Sequence, residues 1–227
     1  PLLVPAALDA ETIAAAEAGI AAYRARHGER AFQIARKSGQ YRHPHGMFYG
    51  GTAPSAARLR LERIARAARL DDRAFVTIVD VHTGLDPFGY GEPQSEHGVD
   101  SVSHRLARQF IGPSLTSVDA GTSFAVPVRG TVQCFWDRFL GDGRYVYLCL
   151  EYGTYDQEAS RRAYREDHWL AANPGLASHA EAARIREALV RFFYPATPDW
   201  NEMVLMRARQ IVRQSLHAMR ALPDPKG

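Results

Sequence analysis

The apolar residues of this chain fall into two rhythms. One is a step of three or four residues, the spacing of a helix face. Ile13, Ala16, Ile20 and Tyr23 follow it after Asp9, a natural N-cap, and Gly28 closes the run. The same step predicts helices over 30–38, 54–70, 99–110, 131–140, 156–171, 178–193 and 200–221. In the helix over 54–70, Leu61, Ile64, Ala65 and Ala68 form the inner stripe. The last helix carries Val204, Leu205, Ile211, Val212, Leu216 and Met219 on its apolar side. The other rhythm is a short, nearly continuous run of β-branched and aromatic residues. Phe75, Val76, Ile78, Val79 and Val81 make one such run, and Tyr145 to Leu150 make another. Both read as strands buried on two faces. Thr116 to Val118 adds a short third strand. Gln40 to Gly51 and Gly84 to Gly91 read as Gly/Pro loops.

Helices alternating with buried strands predict an α/β fold in a single domain over 1–227. The count is unbalanced, because two or three strands cannot bury both faces and both edges. Either further strands go unread, or part of the sheet comes from residues outside this chain.

Composition narrows the partners. At 227 residues the chain is long enough for a real core. A net charge of +3, from arginines scattered without a block, argues against a nucleic-acid binder. No apolar run approaches a membrane span. The opening residues 1–12 lack a basic start and a cleavage pattern, so a signal peptide is not expected and a cytoplasmic location is. They also lack an initiator Met, which leaves room for an upstream segment. Asp224 to Gly227 read as a frayed tail. Cys134 on a helix and Cys149 in mid-strand read as two buried free thiols.

The chemistry gathers at the two strand ends. The first strand breaks into Asp80-Val81-His82-Thr83-Gly84, the second into Glu151-Tyr152-Gly153-Thr154-Tyr155. Ligands of α/β sheets collect beyond the carboxyl ends of strands. His82 there reads as a metal ligand or a general base, or as a histidine that hydrogen-bonds its loop. Glu151 faces the same crevice if the strands are parallel neighbours; otherwise it pairs with one of the arginines. A His and a Glu that converge are the minimum parts of a metal-assisted hydrolase. Glu92, just after the Gly/Pro loop, is a further carboxylate for that crevice. His43-x-His45 has no carboxylate or Cys at ligand spacing and reads as a surface pair. His97-x-x-Asp100 is broken by a Gly and reads as incidental.

Five ordered motifs carry a resemblance. They are Gln40 to Gly51, Asp80 to Gly89, Leu150 to Thr154, Arg165 to Leu170, and Phe193-Tyr194-Pro195 followed by Trp200. Their order and spacing resemble the bacterial, largely uncharacterised branch of the zinc carboxypeptidase-like metallopeptidases, over nearly the whole chain. The resemblance implies a mixed, mostly parallel sheet between helices with one catalytic zinc at the strand ends. It implies His82 as a zinc ligand and Glu151 as the general base. Asp80 and Thr83 flank the ligand, and Glu92, Thr154 and Tyr155 (or Tyr152) are candidates for the crevice wall. The implied activity is hydrolysis of a peptide or, by the same parts, of an N-acyl amino acid. None of the nine histidines is followed three residues later by Glu. The family's H-x-x-E zinc motif, and the residues that grip substrate, are therefore expected in an upstream segment or partner chain. The chain reads as the carboxyl-terminal larger part of such a domain, with the first strands supplied elsewhere. A non-catalytic binding subunit is the competing expectation.

Overall fold

A computed structural model describes residues 6–223. The expectations for the first five residues and for the tail at 224–227 lie outside the described residues. Along the chain stand α1 (Ala10–His27), α2 (Glu29–Lys37), α3 (Ala56–Ala67), β1 (Val76–Phe88) and β2 (Gly91–Ser95). Then come α4 (Val102–Ile111), β3 (Thr116–Ser117), α5 (Gln133–Leu140), β4 (Tyr145–Gly153), α6 (Gln157–Ala172), α7 (His179–Phe193) and α8 (Pro198–Arg220). The helices begin where side chains can accept the first free N–H groups. Asp9 Oδ1 accepts from Thr12 N at 2.8 Å, and Asp156 Oδ1 accepts from Glu158 N and Ala159 N. Ser55, Ser101 and Ser178 do the same for α3, α4 and α7. Each such cap is worth about 1 kcal/mol.

The fold is α/β. Four strands form a mixed sheet in the order β1-β4-β2-β3, flanked by helices. Two of its pairings are parallel, β1 with β4 and β2 with β3, and β2 runs antiparallel to β4. The centre is therefore β4, whose residues are buried from Tyr145 to Leu150. Its even positions, Val146, Leu148, Leu150 and Tyr152, pack on Phe110, Ile111, Trp200 and Ile211 of α4 and α8. Its odd positions, Tyr145, Tyr147 and Cys149, pack on Ala65, Phe135, Trp136 and Leu140 of α3 and α5. At roughly 1.5–3 kcal/mol per fully buried large side chain, these two layers dominate the stability.

Four expectations need correction. First, β1 is not buried on both faces. It is an edge strand among the described residues, and Val81 is 56% exposed. Second, β1 does not end at Asp80, and 84–91 is not a loop. β1 runs on to Phe88 because β4 keeps pairing with it through two register shifts, at Thr83/Leu85 and Leu85/Phe88. Third, Gly91–Ser95 is a strand although its sequence, Gly-Glu-Pro-Gln-Ser, shows no apolar run. All five residues are buried, and their polar atoms are satisfied laterally. Gln94 Nε2 donates to Glu92 Oε2 at 2.6 Å, and Ser95 Oγ bonds His104 Nδ1 at 3.0 Å. Pro93 is tolerated because its carbonyl, and with it the missing N–H, turns toward β3. There Thr116 Oγ1 reaches the carbonyl, and β3 pairs only from Gln94 on. Fourth, two apolar stripes split. Ile64 and Ala68 are exposed on or beside α3, and Leu205, Val212 and Leu216 are exposed on α8, while Ile211 points inward.

Candidate functional site

The parallel pairing of β1 with β4 sets side chains of one face in rows. Val76 stands beside Tyr145, Ile78 beside Tyr147, Asp80 beside Cys149, and His82 beside Glu151. The face thus grades from apolar to polar toward the carboxyl ends of the strands. Where the apolar layer stops, a cleft of about 730 Å³ opens, and Asp80, His82, Tyr147, Cys149 and Glu151 line it. His82 Nδ1 lies 3.8 Å from Glu151 Oε2. Its other nitrogen, Nε2, lies 3.2 Å from Asp80 Oδ2, and Tyr147 donates its hydroxyl to the same oxygen at 2.7 Å. Asp80 therefore fixes the ring and leaves Nδ1 facing Glu151. This carboxylate–imidazole pairing is the support that metal-binding histidines ordinarily have.

The charges are shifted by these surroundings. Burial pushes the Glu151 carboxyl up to about 7; Glu92 and Glu96 add repulsion, while His82 and Lys37 pull it back. His82 is raised, first by its bond to Asp80. Asp80 is lowered, first by the bond to His82. Burial raises Glu96 and lowers Lys37, both of which line the cleft. A carboxyl that titrates near neutrality beside an oriented imidazole can exchange protons with bound water at physiological pH.

The family model described as a protein of unknown function, DUF2817, matches residues 1–207. The chain belongs to that family. No curated protein and no solved structure matches it.

Within this DUF2817 chain the residues named from sequence part into two groups. Asp80, His82, Thr83 and Glu151 line the cleft. Glu92, Thr154, Tyr155 and Tyr152 do not. Glu92 is 1% exposed and is held beneath the site by Gln94 and by Phe124 N. Thr154 is buried and donates its N–H to Leu85 O, closing β1 onto β4. Tyr155 packs between Phe88 and Phe192, with ring centroids 6.2 Å from each. Tyr152 points to the opposite face and donates its hydroxyl to Val204 O. Sequence reading missed Cys149, Glu96, Arg36 and Lys37. Cys149 was within reach, because strand alternation puts residue 149 on the face of residue 151. Glu96 was hidden behind an unread strand, and Arg36 and Lys37 come from a distant helix.

Three donor atoms, from His82, Cys149 and Glu151, lie within 4.8 Å of one another. Imidazole, thiolate and carboxylate are all accepted by zinc. His82 Nδ1, oriented by Asp80, and Cys149 Sγ could hold such an ion and leave Glu151 beside it. Among the described residues no helix is long and apolar enough to cross a membrane.

Proposed function

We propose that this DUF2817 protein is a zinc-dependent hydrolase of peptide or amide bonds, of the zinc carboxypeptidase-like kind. The observation that supports it most is the row that sets His82 beside Glu151 at the carboxyl end of a parallel strand pair, inside a cleft. His82 would hold the ion through Nδ1, with Cys149 Sγ the nearest further donor. The remaining ligands would come from a segment carrying H-x-x-E. Zinc, when bound, supplies a Lewis acid that polarises the scissile carbonyl and makes water acidic enough to deprotonate near neutrality. Glu151 takes that proton. Its environment, desolvated but close to His82 and Lys37, suits a group that must both accept and release a proton at pH 7. It then delivers the proton to the leaving amine. Asp80 holds the His82 tautomer through both steps, and Tyr147 holds Asp80.

Glu151→Gln separates the roles. It is expected to lower turnover of peptide and N-acyl amino acid substrates by about 10²–10⁴-fold while zinc content stays unchanged. Full turnover in Glu151→Gln would remove Glu151 from the chemistry.

A further inference from the structure

Arg36 is the one charged side chain of the cleft that is both buried and lacks a carboxylate among the described residues. It is 5% exposed and lines the cleft from α2. Its Nη2 donates to Ser160 Oγ of α6 at 2.8 Å, a neutral partner. Its Nη1 is buried with no hydrogen-bond partner. The contrast is Arg165, equally buried on α6, whose Nη2 meets Glu17 Oε1 at 2.5 Å. A buried guanidinium that keeps one face unpaired is costly unless an anion arrives. Lys37 stands beside it, half-buried, and it too lines the cleft. Burial and the neighbouring Arg36 both press Lys37 toward its neutral form, which an incoming anion would relieve.

The cations occupy one side only. α6 and α7 pack against β1, and Arg36 is tied to α6, so this lobe lies off the β1 edge. Phe48 and Tyr164 wall it, their rings 5.2 Å apart, and Phe48 is held there with φ 57, a backbone state that bulky residues rarely take. Glu96 directly follows β2, Asp119 Oδ2 accepts from Val99 N, and Asp137 Oδ1 lies 4.0 Å from His97 Nδ1, so these three carboxylates stand on the β2 side. His82 and Glu151 lie between the two lobes. A ligand across the cleft would therefore meet positive charge at one end alone.

We propose that Arg36 and Lys37 form an anion subsite that takes a carboxylate of the substrate, apart from any grip that an upstream segment carries. The substrate class is then a peptide or amide with an acidic side chain or acyl group, held against Phe48 and Tyr164. That class rests on the hydrolase reading; the subsite does not.

The test is calorimetric binding of glutarate to the full chain, with inorganic phosphate as a second arm. Arg36→Met is expected to weaken glutarate binding by about 10–100-fold, the loss of a charge-assisted contact. The same variant, freed of an unpaired buried charge, is expected to melt about 2–4 °C higher without ligand. Equal affinity in the two proteins would overturn the subsite, as would failure of the wild-type chain to bind glutarate at millimolar concentration. Tighter binding of phosphate than of glutarate would overturn the carboxylate assignment. Should Arg36→Met not fold, Lys37→Met decides, by a several-fold loss of glutarate affinity or by none. In turnover, a Glu-containing peptide is expected to show a lower KM than its Gln counterpart, and Arg36→Met to erase the difference. Glutarate binding by zinc-loaded protein that turns over neither peptide would overturn the hydrolase reading and leave the subsite standing.

Discussion

His97 shows how much one buried side chain can set. It is 3% exposed, and its Nε2 accepts from Tyr147 N at 3.0 Å, so the proton sits on Nδ1. Burial, against a weaker pull from Asp137, drives its pKa from 6.5 down to about 4. Charging the ring would also set a second N–H against the Tyr147 amide. Between pH 6.5 and about 4 the unfolded chain takes up a proton that the native chain refuses, so stability falls as pH falls through this window. The loss is on the order of 3 kcal/mol. Urea melts from pH 7 to 4 should show it, and His97→Gln should flatten the curve over that range. An equal slope in both proteins would contradict the assignment. Asp80 offers a second test at this scale. Asp80→Ala is expected to weaken zinc binding by about 10–100-fold in competition with a chelator, since the ring loses its support. That His82 and Glu151 would share one crevice was legible from sequence, because a strand end is a recognisable place. The histidine at 97 was not, because its role depends on a backbone amide fifty residues away.

Among the elements, helices were easier to read than strands. Eight periodic runs, some of them capped or closed by glycine, gave helix positions within a few residues, since caps and periodicity are local. Strand identity was clear only where the run was apolar. β2 was invisible because its burial is satisfied by polar pairs within β2 itself, with α4 and with the Phe124 backbone rather than by β-branched side chains. The extension of β1 was hidden because its partner, not its own composition, keeps it extended. Gly153 is where that partnership is tightest. A Cβ there would run into the Pro87 carbonyl as β1 folds over β4. Gly153→Ala is therefore expected to destabilise by about 1–3 kcal/mol, read by denaturant melts, and to disturb His82 through the displaced β1 segment. Gly121, whose Cβ would meet nothing within 4 Å but whose φ is positive, is a control for backbone strain alone.

At the scale of the whole molecule, one sheet serves both stability and site. The even face of β4 meets α4 and α8 over its length, while the odd face changes from core to cleft between Tyr147 and Glu151. Leu148→Ala on the core face is expected to cost about 2–5 kcal/mol without altering the cleft directly. The α/β class was legible from alternating helices and buried runs, and the sheet is mixed and mostly parallel as the family resemblance implied. The order β1-β4-β2-β3 was not, because long-range pairing leaves no local mark. The measurement that bears most directly on the central claim is zinc affinity, by chelator competition, of the wild-type chain beside His82→Ala. The account predicts zinc binding by the wild-type chain through His82 Nδ1 and Cys149 Sγ, weaker than a complete three-ligand site would give, and a loss of tenfold or more in the variant. Equal affinity in the two, or no zinc on the wild-type chain, would contradict it.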